Sequence, residues 1–172
     1  LAPDVVVDLI SVVDIHLARS IKRCSSNKVD VKWCHIVDEN CCIVKERIVV
    51  DGEFILRIDN KSMVEYHAET ITEILKDYLD RHTPDLVILS DYAGGTVNED
   101  TLIKLLENKD RLLIDTKETD LSKFSRKNEK TFLAKLNEGE WKAALLKDHT
   151  PEQHFQAMVV TRGSEGASLY MH

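Results

Sequence analysis

The chain has 172 residues, 43% of them hydrophobic and 31% charged, a balance typical of one folded domain rather than of a disordered or fibrous protein. Its net charge of −7 disfavours contact with a phosphate backbone, so we expect no nucleic-acid partner. No apolar run approaches the ~20 residues of a membrane span, and no signal-peptide pattern occurs, so we expect a cytoplasmic protein without a membrane partner.

The first half of the chain mixes strand patterns with two amphipathic helices. Strands are predicted over 5–10 and 29–37, and a helix over 12–23. Two β-rich runs, 41–50 and 53–59, flank Asp51-Gly52, which is the strongest short signal of a β-hairpin. A second, longer helix is predicted over 63–82; it ends before Thr83-Pro84 because the residue before proline avoids helical backbone.

From residue 85 onward, strand patterns alternate with helix patterns. Four apolar strands are predicted, at 86–89, 112–114, 131–136 and 158–161. Helices are predicted over 98–108 and about 138–146, and a last strand over 167–171 after a turn at 163–166. This alternation indicates right-handed βαβ units and a mainly parallel sheet.

Polar motifs follow two of these strands. Asp91 in SDYAGG (90–95) stands at a strand end, where open α/β sheets bind ligands, and its carboxylate can hold sugar hydroxyls. The alternative is that Asp91 only caps the turn that follows it. Lys117 in DTKETDL (115–121) can neutralise phosphate charge, or it can lie in a solvated loop of mixed charge.

Two further motifs favour an anion. Asn137 in NEGE (137–140) is a natural N-cap, and a helix N-terminus attracts negative charge. Glu140 either completes a capping box with Asn137 or orients water on a magnesium ion near nucleotide phosphates. In TRGSEG (161–166) two glycines allow a ligand to approach the backbone closely, although a plain β-turn has the same composition.

Taken in chain order, SDYAGG, DTKETDL, NEGE and VTRGSEG resemble the motifs of the PfkB/ribokinase family of carbohydrate kinases. The likeness is closest to the heptose 7-phosphate kinase branch, which acts in ADP-heptose synthesis and carries SDYxKG, DPKGTDF, N-x-x-E and VTRxxxG. Arg57 in ILRID resembles the arginine of an IRLD segment in that branch, and residues 1–10 resemble its first lid strand.

The resemblance implies a ribokinase-like α/β fold, with a mainly parallel central sheet flanked by helices. It implies one domain over 1–172, in which 4–10 and about 41–59 contribute to a small β-flap. The implied activity is ATP-dependent phosphorylation of a sugar or sugar phosphate, possible substrates including a heptose 7-phosphate, with ATP and Mg²⁺ as cofactors. Flaps of this family pair between subunits, which implies a homodimer through the flap.

The resemblance also implies roles for individual residues. The sugar would lie against Asp91, Tyr92, Lys117 and Arg57. The magnesium-nucleotide site would include Asn137, Glu138, Gly139 and Glu140, with Glu140 serving the metal. The nucleotide would also border Thr161, Arg162, Gly163 and Gly166.

Several family features do not occur in this sequence. The GGxxxN segment and the GAGD segment are both missing, and the family's catalytic base belongs to GAGD, so no residue here is assigned that role. Gly94 stands in place of the lysine of SDYxKG, and Glu118 in place of the glycine after the DPK lysine. Two interpretations follow: an active kinase with further segments outside this sequence, or an inactive relative that serves as a ligand-binding or assembly module.

Overall fold

A computed structural model describes residues 5–25, 28–37, 44–60, 67–126 and 129–171. The chain divides into two compact units, Leu1–Ile74 and Leu75–His172. The assignment of 1–172 to a single domain therefore stays a prediction.

The 1–74 unit contains two pairs of short parallel strands. Strand β1 (Val7–Asp8) pairs with β3 (Val29–Asp30), and β2 (Val12–Asp14) pairs with β4 (His35–Val37). The predicted single strand over 29–37 is thus wrong, because a turn separates β3 from β4 and the two halves pair with different strands.

Helix α1 (Ile15–Cys24) begins three residues later than the sequence pattern predicts. Asp14 accepts a hydrogen bond from the Leu17 backbone amide at 2.7 Å, so it caps the helix and Val12–Asp14 remain extended. Ala18 of α1 packs into a small core with Val13 and Val31, which orients the helix. Helix α2 (Ala68–Arg81) confirms the long predicted helix, whose first residues, 63–66, lie outside the described part of the chain.

The predicted hairpin is confirmed by antiparallel strands β5 (Val44–Val50) and β6 (Glu53–Asn60). Asp51 and Gly52 have φ of 52° and 85°, the left-handed backbone that a two-residue hairpin turn requires. β1 pairs with β3, and the hairpin strands pair with each other. The flap assigned to 4–10 and 41–59 stays a prediction, and residues 4 and 41–43 lie outside the described residues.

The 75–172 unit is built on a five-stranded sheet in the order β11-β10-β9-β8-β7. Its strands are β7 (Val87–Asp91), β8 (Leu112–Thr116), β9 (Thr131–Asn137), β10 (Phe155–Thr161) and β11 (Ala167–Met171). The first four are mutually parallel, and β11 runs antiparallel to β10. β7 is the edge strand of this sheet and its Ile88 side chain is 63% exposed, so the apolar strand predicted at 86–89 is not buried on both faces.

Helices α3 (Glu99–Leu106) and α4 (Glu138–Lys147) connect β7 to β8 and β9 to β10, which confirms two βαβ units. Asn98 caps α3 by accepting a hydrogen bond from the Thr101 amide at 2.8 Å. The central strands supply many of the fully buried side chains of this unit, among them Ile114, Leu136 and Val160. The predicted α/β class, with a parallel-rich sheet flanked by helices, is confirmed.

Candidate functional site

The carboxyl ends of the four parallel strands lie along one side of the sheet, which we call its carboxyl edge; it is distinct from the edge strand β7. The register pairs Asp91 with Thr116, Asp115 with Lys135, and Asn137 with Thr161. The motifs that follow β7, β8, β9 and β10 therefore start at the same edge, although up to 70 residues separate them in sequence. This is the edge at which open α/β sheets bind ligands.

Asp91 both caps its own turn and presents an oxygen to the edge. Its Oδ1 accepts from the Ala93 backbone amide at 3.0 Å, which holds Ala93 in left-handed backbone at φ 57°. Among the residues that the structure describes, its Oδ2 has one contact, a long one of 3.5 Å with the Thr116 hydroxyl, and its backbone oxygen accepts from the Lys117 amide at 3.0 Å. The turn-capping role is thus present, and Oδ2 keeps capacity to accept from a ligand hydroxyl.

Tyr92, Asp115 and Lys135 form a hydrogen-bonded group. The Tyr92 hydroxyl donates to Asp115 Oδ2 at 3.0 Å, and Lys135 Nζ lies 3.1 Å from Asp115 Oδ1. The hydrogen bond to Asp115 and its negative charge raise the pKa of Tyr92, so this phenol stays protonated. Burial opposes the charge on Lys135, but the bond and charge of Asp115 outweigh it and raise the pKa of Lys135.

Lys117 is the exposed cation of this edge. Its Nζ lies 5.4 Å from the centroid of the Tyr92 ring, within reach of a cation–π contact. Within the described ranges Lys117 forms no ion pair, whereas Lys123, on the same connector, is bound to Glu118 at 2.6 Å. The Lys117 charge is therefore free to meet an anion.

Helix α4 begins at this edge with a complete capping box. The Glu140 amide donates to Asn137 Oδ1 at 2.9 Å, and the Asn137 amide donates to Glu140 Oε2 at 2.7 Å. Gly139 fits closely between them, since a Cβ there would lie 3.3 Å from Asn137 Oδ1. The Glu140 charge also contributes to raising the pKa of both Tyr92 and Lys135.

The turn after β10 is closed by a bond of 2.8 Å from the Arg162 amide to the Gly166 carbonyl. Gly163 and Gly166 have φ of 57° and 88°, and no atom lies within 4 Å of where their Cβ atoms would be, so the turn surface is open there. The Arg162 guanidinium faces β11, where it donates to the hydroxyls of Ser168 and Tyr170. Arg162 also approaches Glu138 Oε1 at 4.0 Å.

Thr161, at the end of β10, donates its hydroxyl to the Leu136 carbonyl at 3.2 Å, which ties β10 to β9 below the turn. Arg57 belongs to β6 in the 1–74 unit, where its guanidinium pairs with Asp59 at 2.8 Å. The assignment of Arg57 to the sugar site stays a prediction.

The residues at this edge are better suited to bind a nucleotide than to hold a metal ion through protein ligands alone. Over the residues that the structure describes, no group of three or more His, Cys, Asp or Glu side chains is placed to hold a metal ion. A magnesium ion served by Glu140 would therefore draw its other ligands from phosphate and water, as magnesium commonly does. In the same described part of the chain, no helix is long and apolar enough to cross a membrane.

One member of the site, Lys135, has no motif in the sequence that points to it. Asp115, by contrast, ends the apolar run LLID, as Asp91 ends the apolar run before it. The signal for Lys135 is a lysine inside an otherwise apolar parallel strand, FLAKLN, because such a charge needs a partner when half-buried. Its partner, Asp115, could not be named before the register of β8 and β9 was known.

No protein-family model matches the chain, and no curated protein matches it in sequence. Solved structures match its fold. Phosphofructokinase-2 from Escherichia coli in complex with fructose-6-phosphate has a TM-score of 0.64 at 12% identity, covering 96% of this chain and 60% of that one. The nucleoside kinase of Burkholderia thailandensis in complex with inosine has a TM-score of 0.62 at 12% identity, with coverage of 95% and 55%.

The nucleoside kinase of Methanocaldococcus jannaschii, an archaeal member of the ribokinase family, has a TM-score of 0.58 at 15% identity, covering 95% of this chain and 55% of that one. The fold is therefore ribokinase-like, the class that the motifs predicted. The chain spans a little over half the length of these structures. None of them points to the heptose 7-phosphate kinase branch, and at these identities the likeness concerns the fold alone.

Proposed function

We propose that the protein is an ATP-dependent carbohydrate kinase of the ribokinase type. The observation that carries this proposal is that the carboxyl ends of β7, β8, β9 and β10 lie side by side on a ribokinase-like sheet. A carboxylate suited to bind a hydroxyl, two lysines and a helix N-terminus occur there. Phosphoryl transfer depends on positioning and on neutralising charge, and this set of groups supplies both.

The sugar side of the proposed site is built on Asp91, Tyr92 and Lys117. Asp91 Oδ2 accepts from a sugar hydroxyl and so orients the ring. The Tyr92 hydroxyl proton is committed to Asp115, so its oxygen is an acceptor for a second hydroxyl. Lys117 is placed to neutralise a phosphate if the substrate is a sugar phosphate, and a heptose 7-phosphate is one such substrate.

The nucleotide side is built on the N-terminus of α4 and on the turn after β10. ATP would supply the phosphoryl group, with Mg²⁺ held in part through Glu140. Asn137 keeps the first turn of α4 in place, and Gly139 leaves its amides open to phosphate oxygens. Thr161, Gly163 and Gly166 border the nucleotide through backbone.

Lys135 lies between the two sides. Because Asp115 keeps it charged and fixes its position, it is suited to neutralise negative charge on the transferring phosphoryl group. Glu138 and Arg162 support this side indirectly, since Arg162 links Glu138 to β11.

The test is ADP formation by the purified protein with ATP, Mg²⁺ and a panel of sugars, sugar phosphates and nucleosides. Once a substrate is found, Lys117→Met should raise its KM about tenfold or more if it carries a phosphate. The control is Lys142→Met, which removes an equally flexible lysine that is 70% exposed and pairs with Glu138 on the side of α4. Equal kinetics for the two variants would contradict the role of Lys117.

A second candidate is a catalytically inactive protein that binds a ligand or assembles with a partner. Glu118 favours it, because this residue orders its own loop by accepting from the Thr119 and Asp120 amides and binding Lys123. These contacts, led by the Asp120 amide, lower the pKa of Glu118 and fix a carboxylate beside Lys117. Binding of ATP or a sugar without ADP formation by any member of the panel would support this candidate.

Pairing of two copies through the hairpin is part of the same proposal. Apolar side chains of β5 and β6 are solvent-exposed, Phe54 by 61% and Ile55 by 55%, and a second copy of the hairpin would cover them. Sedimentation should show a dimer that Phe54→Glu weakens and Lys45→Glu, on the same hairpin, leaves intact. A monomer at all concentrations would contradict the pairing.

A further inference from the structure

A serine, a histidine and an aspartate form a hydrogen-bonded chain near the amino ends of β9 and β10, on the side of the sheet opposite the proposed kinase site. Ser125 Oγ lies 2.8 Å from His154 Nδ1, and His154 Nε2 lies 2.7 Å from Asp148 Oδ2. His154 directly precedes β10, whose first residue pairs with the first residue of β9. At ~3.3 Å per residue, strands of this length put the group about 20 Å from the proposed kinase site.

The contacts determine which nitrogen of His154 carries the proton. The Asp148 carboxylate can only accept, so Nε2 donates to it, and Nδ1 is left with a lone pair that accepts from the Ser125 hydroxyl. The Thr150 amide, at 3.0 Å from Asp148 Oδ1, and the bond from His154 lower the pKa of Asp148, which keeps it ionised. The Ser122 carbonyl offers the Ser125 hydroxyl a second acceptor, but at 3.3 Å.

This is the arrangement in which a serine becomes a nucleophile: the hydroxyl, a base that accepts its proton, and a carboxylate that orients the base. Ser125 comes from the connector between β8 and β9, whereas Asp148 and His154 both come from the connector between α4 and β10, so the chain of contacts joins two connectors that are distant in sequence. The His154 side chain is 15% exposed and Asp148 27%, so the group is shielded yet open to a small reagent.

We propose that Ser125 is a nucleophile, activated by His154, that accepts an acyl group from a small activated ester. Ser125 Oγ bonds to the ester carbonyl carbon and the bond from that carbon to the leaving oxygen breaks. The serine proton passes to His154 Nδ1 and then to the departing alkoxide. Water hydrolyses the acyl-serine in a second step, with His154 again taking the proton, and releases the acid.

The experiment uses a fluorophosphonate probe, which transfers a phosphonyl group to an activated serine with loss of fluoride. Mass mapping of the wild-type protein should show Ser125 labelled about 10²-fold or more faster than Ser122, the size of a general-base contribution. Ser122 is the matched control because it lies three residues away and donates to Asp120 rather than to a histidine. His154→Gln should slow labelling of Ser125 by about 10²-fold or more, and Asp148→Asn should slow it as well.

Ser122→Ala should leave the labelling rate at Ser125 unchanged, because the Ser122 hydroxyl donates to Asp120. Absence of labelling in the wild-type protein would overturn the proposal without reference to any variant. Labelling at the same rate in His154→Gln, in protein that unfolds as cooperatively as wild type, would overturn it too.

Discussion

Replacement of Glu140 by glutamine separates the two roles that this residue can have. The Glu140 carboxylate accepts from the Asn137 amide at 2.7 Å, and the amide oxygen of a glutamine can accept the same bond. The helix cap is therefore kept, and only the negative charge is removed. Because Glu140 is half-buried at a helix N-terminus, loss of its interaction with the helix dipole should cost about 0.3–1 kcal/mol of stability.

The effect on nucleotide binding should be larger if the charge serves magnesium. A hydrogen bond to a charged group contributes about 1.5–3 kcal/mol, against about 0.5–1.5 for a neutral pair. The difference of about 1–1.5 kcal/mol corresponds to roughly a tenfold weaker Kd for ATP in the presence of Mg²⁺. Binding of ATP without Mg²⁺ should change far less.

Calorimetric titration of ATP, with and without Mg²⁺, measures this difference, and urea unfolding measures stability. Glu99→Gln is the matched control, because Glu99 is also a first-turn carboxylate, on α3, whose cap is formed by Asn98 and Thr101. If Glu140→Gln binds Mg²⁺ and ATP as tightly as wild type, the carboxylate serves only the capping box and the metal role is wrong. Glu140→Ala, which also removes the acceptor, should then still lose about 1 kcal/mol of stability.

Three further predictions concern the site and its support. Ultraviolet titration should give Tyr92 a pKa above the usual tyrosine value, and Asp115→Asn should lower that pKa. Because the folded state holds the phenolic proton more tightly, the resulting stabilisation of the fold is fully present below the unfolded pKa and is lost as pH rises through the folded pKa. Leu136→Ala, at a fully buried position of β9, should cost about 2–5 kcal/mol in urea unfolding. Gly166→Ala should cost about 1–3 kcal/mol in the same assay, because φ 88° with ψ −141° strains any side chain. Unchanged urea midpoints would contradict the packing role of Leu136 and the backbone strain at Gly166.

Periodic and capping signals in the sequence predicted most elements of the 75–172 unit. The apolar runs, the helix patterns between them and the N-cap Asn137 all appear where the sequence places them, because these are local properties of backbone and neighbouring side chains. The short strands near the N-terminus were predicted less well. Val12–Asp14 share apolar spacing with α1, and only the capping contact of Asp14 shows where the helix begins.

The contacts of the site depend on more than local pattern. Lys135 and Asp115 are 20 residues apart and meet only because β8 and β9 are paired in parallel with one particular register. The direction of the Arg162 guanidinium, toward β11 rather than outward, likewise depends on an antiparallel partner strand. Ser125, His154 and Asp148 carry no shared motif at all.

By itself the sequence determined that this is an α/β chain whose polar motifs follow strands, since hydrophobic period and turn chemistry are written into neighbouring residues. Only the tertiary structure decided which charges meet at each edge of the sheet. The reason is physical: a side-chain contact between distant residues requires strand order and register, and those are set by packing of the whole sheet.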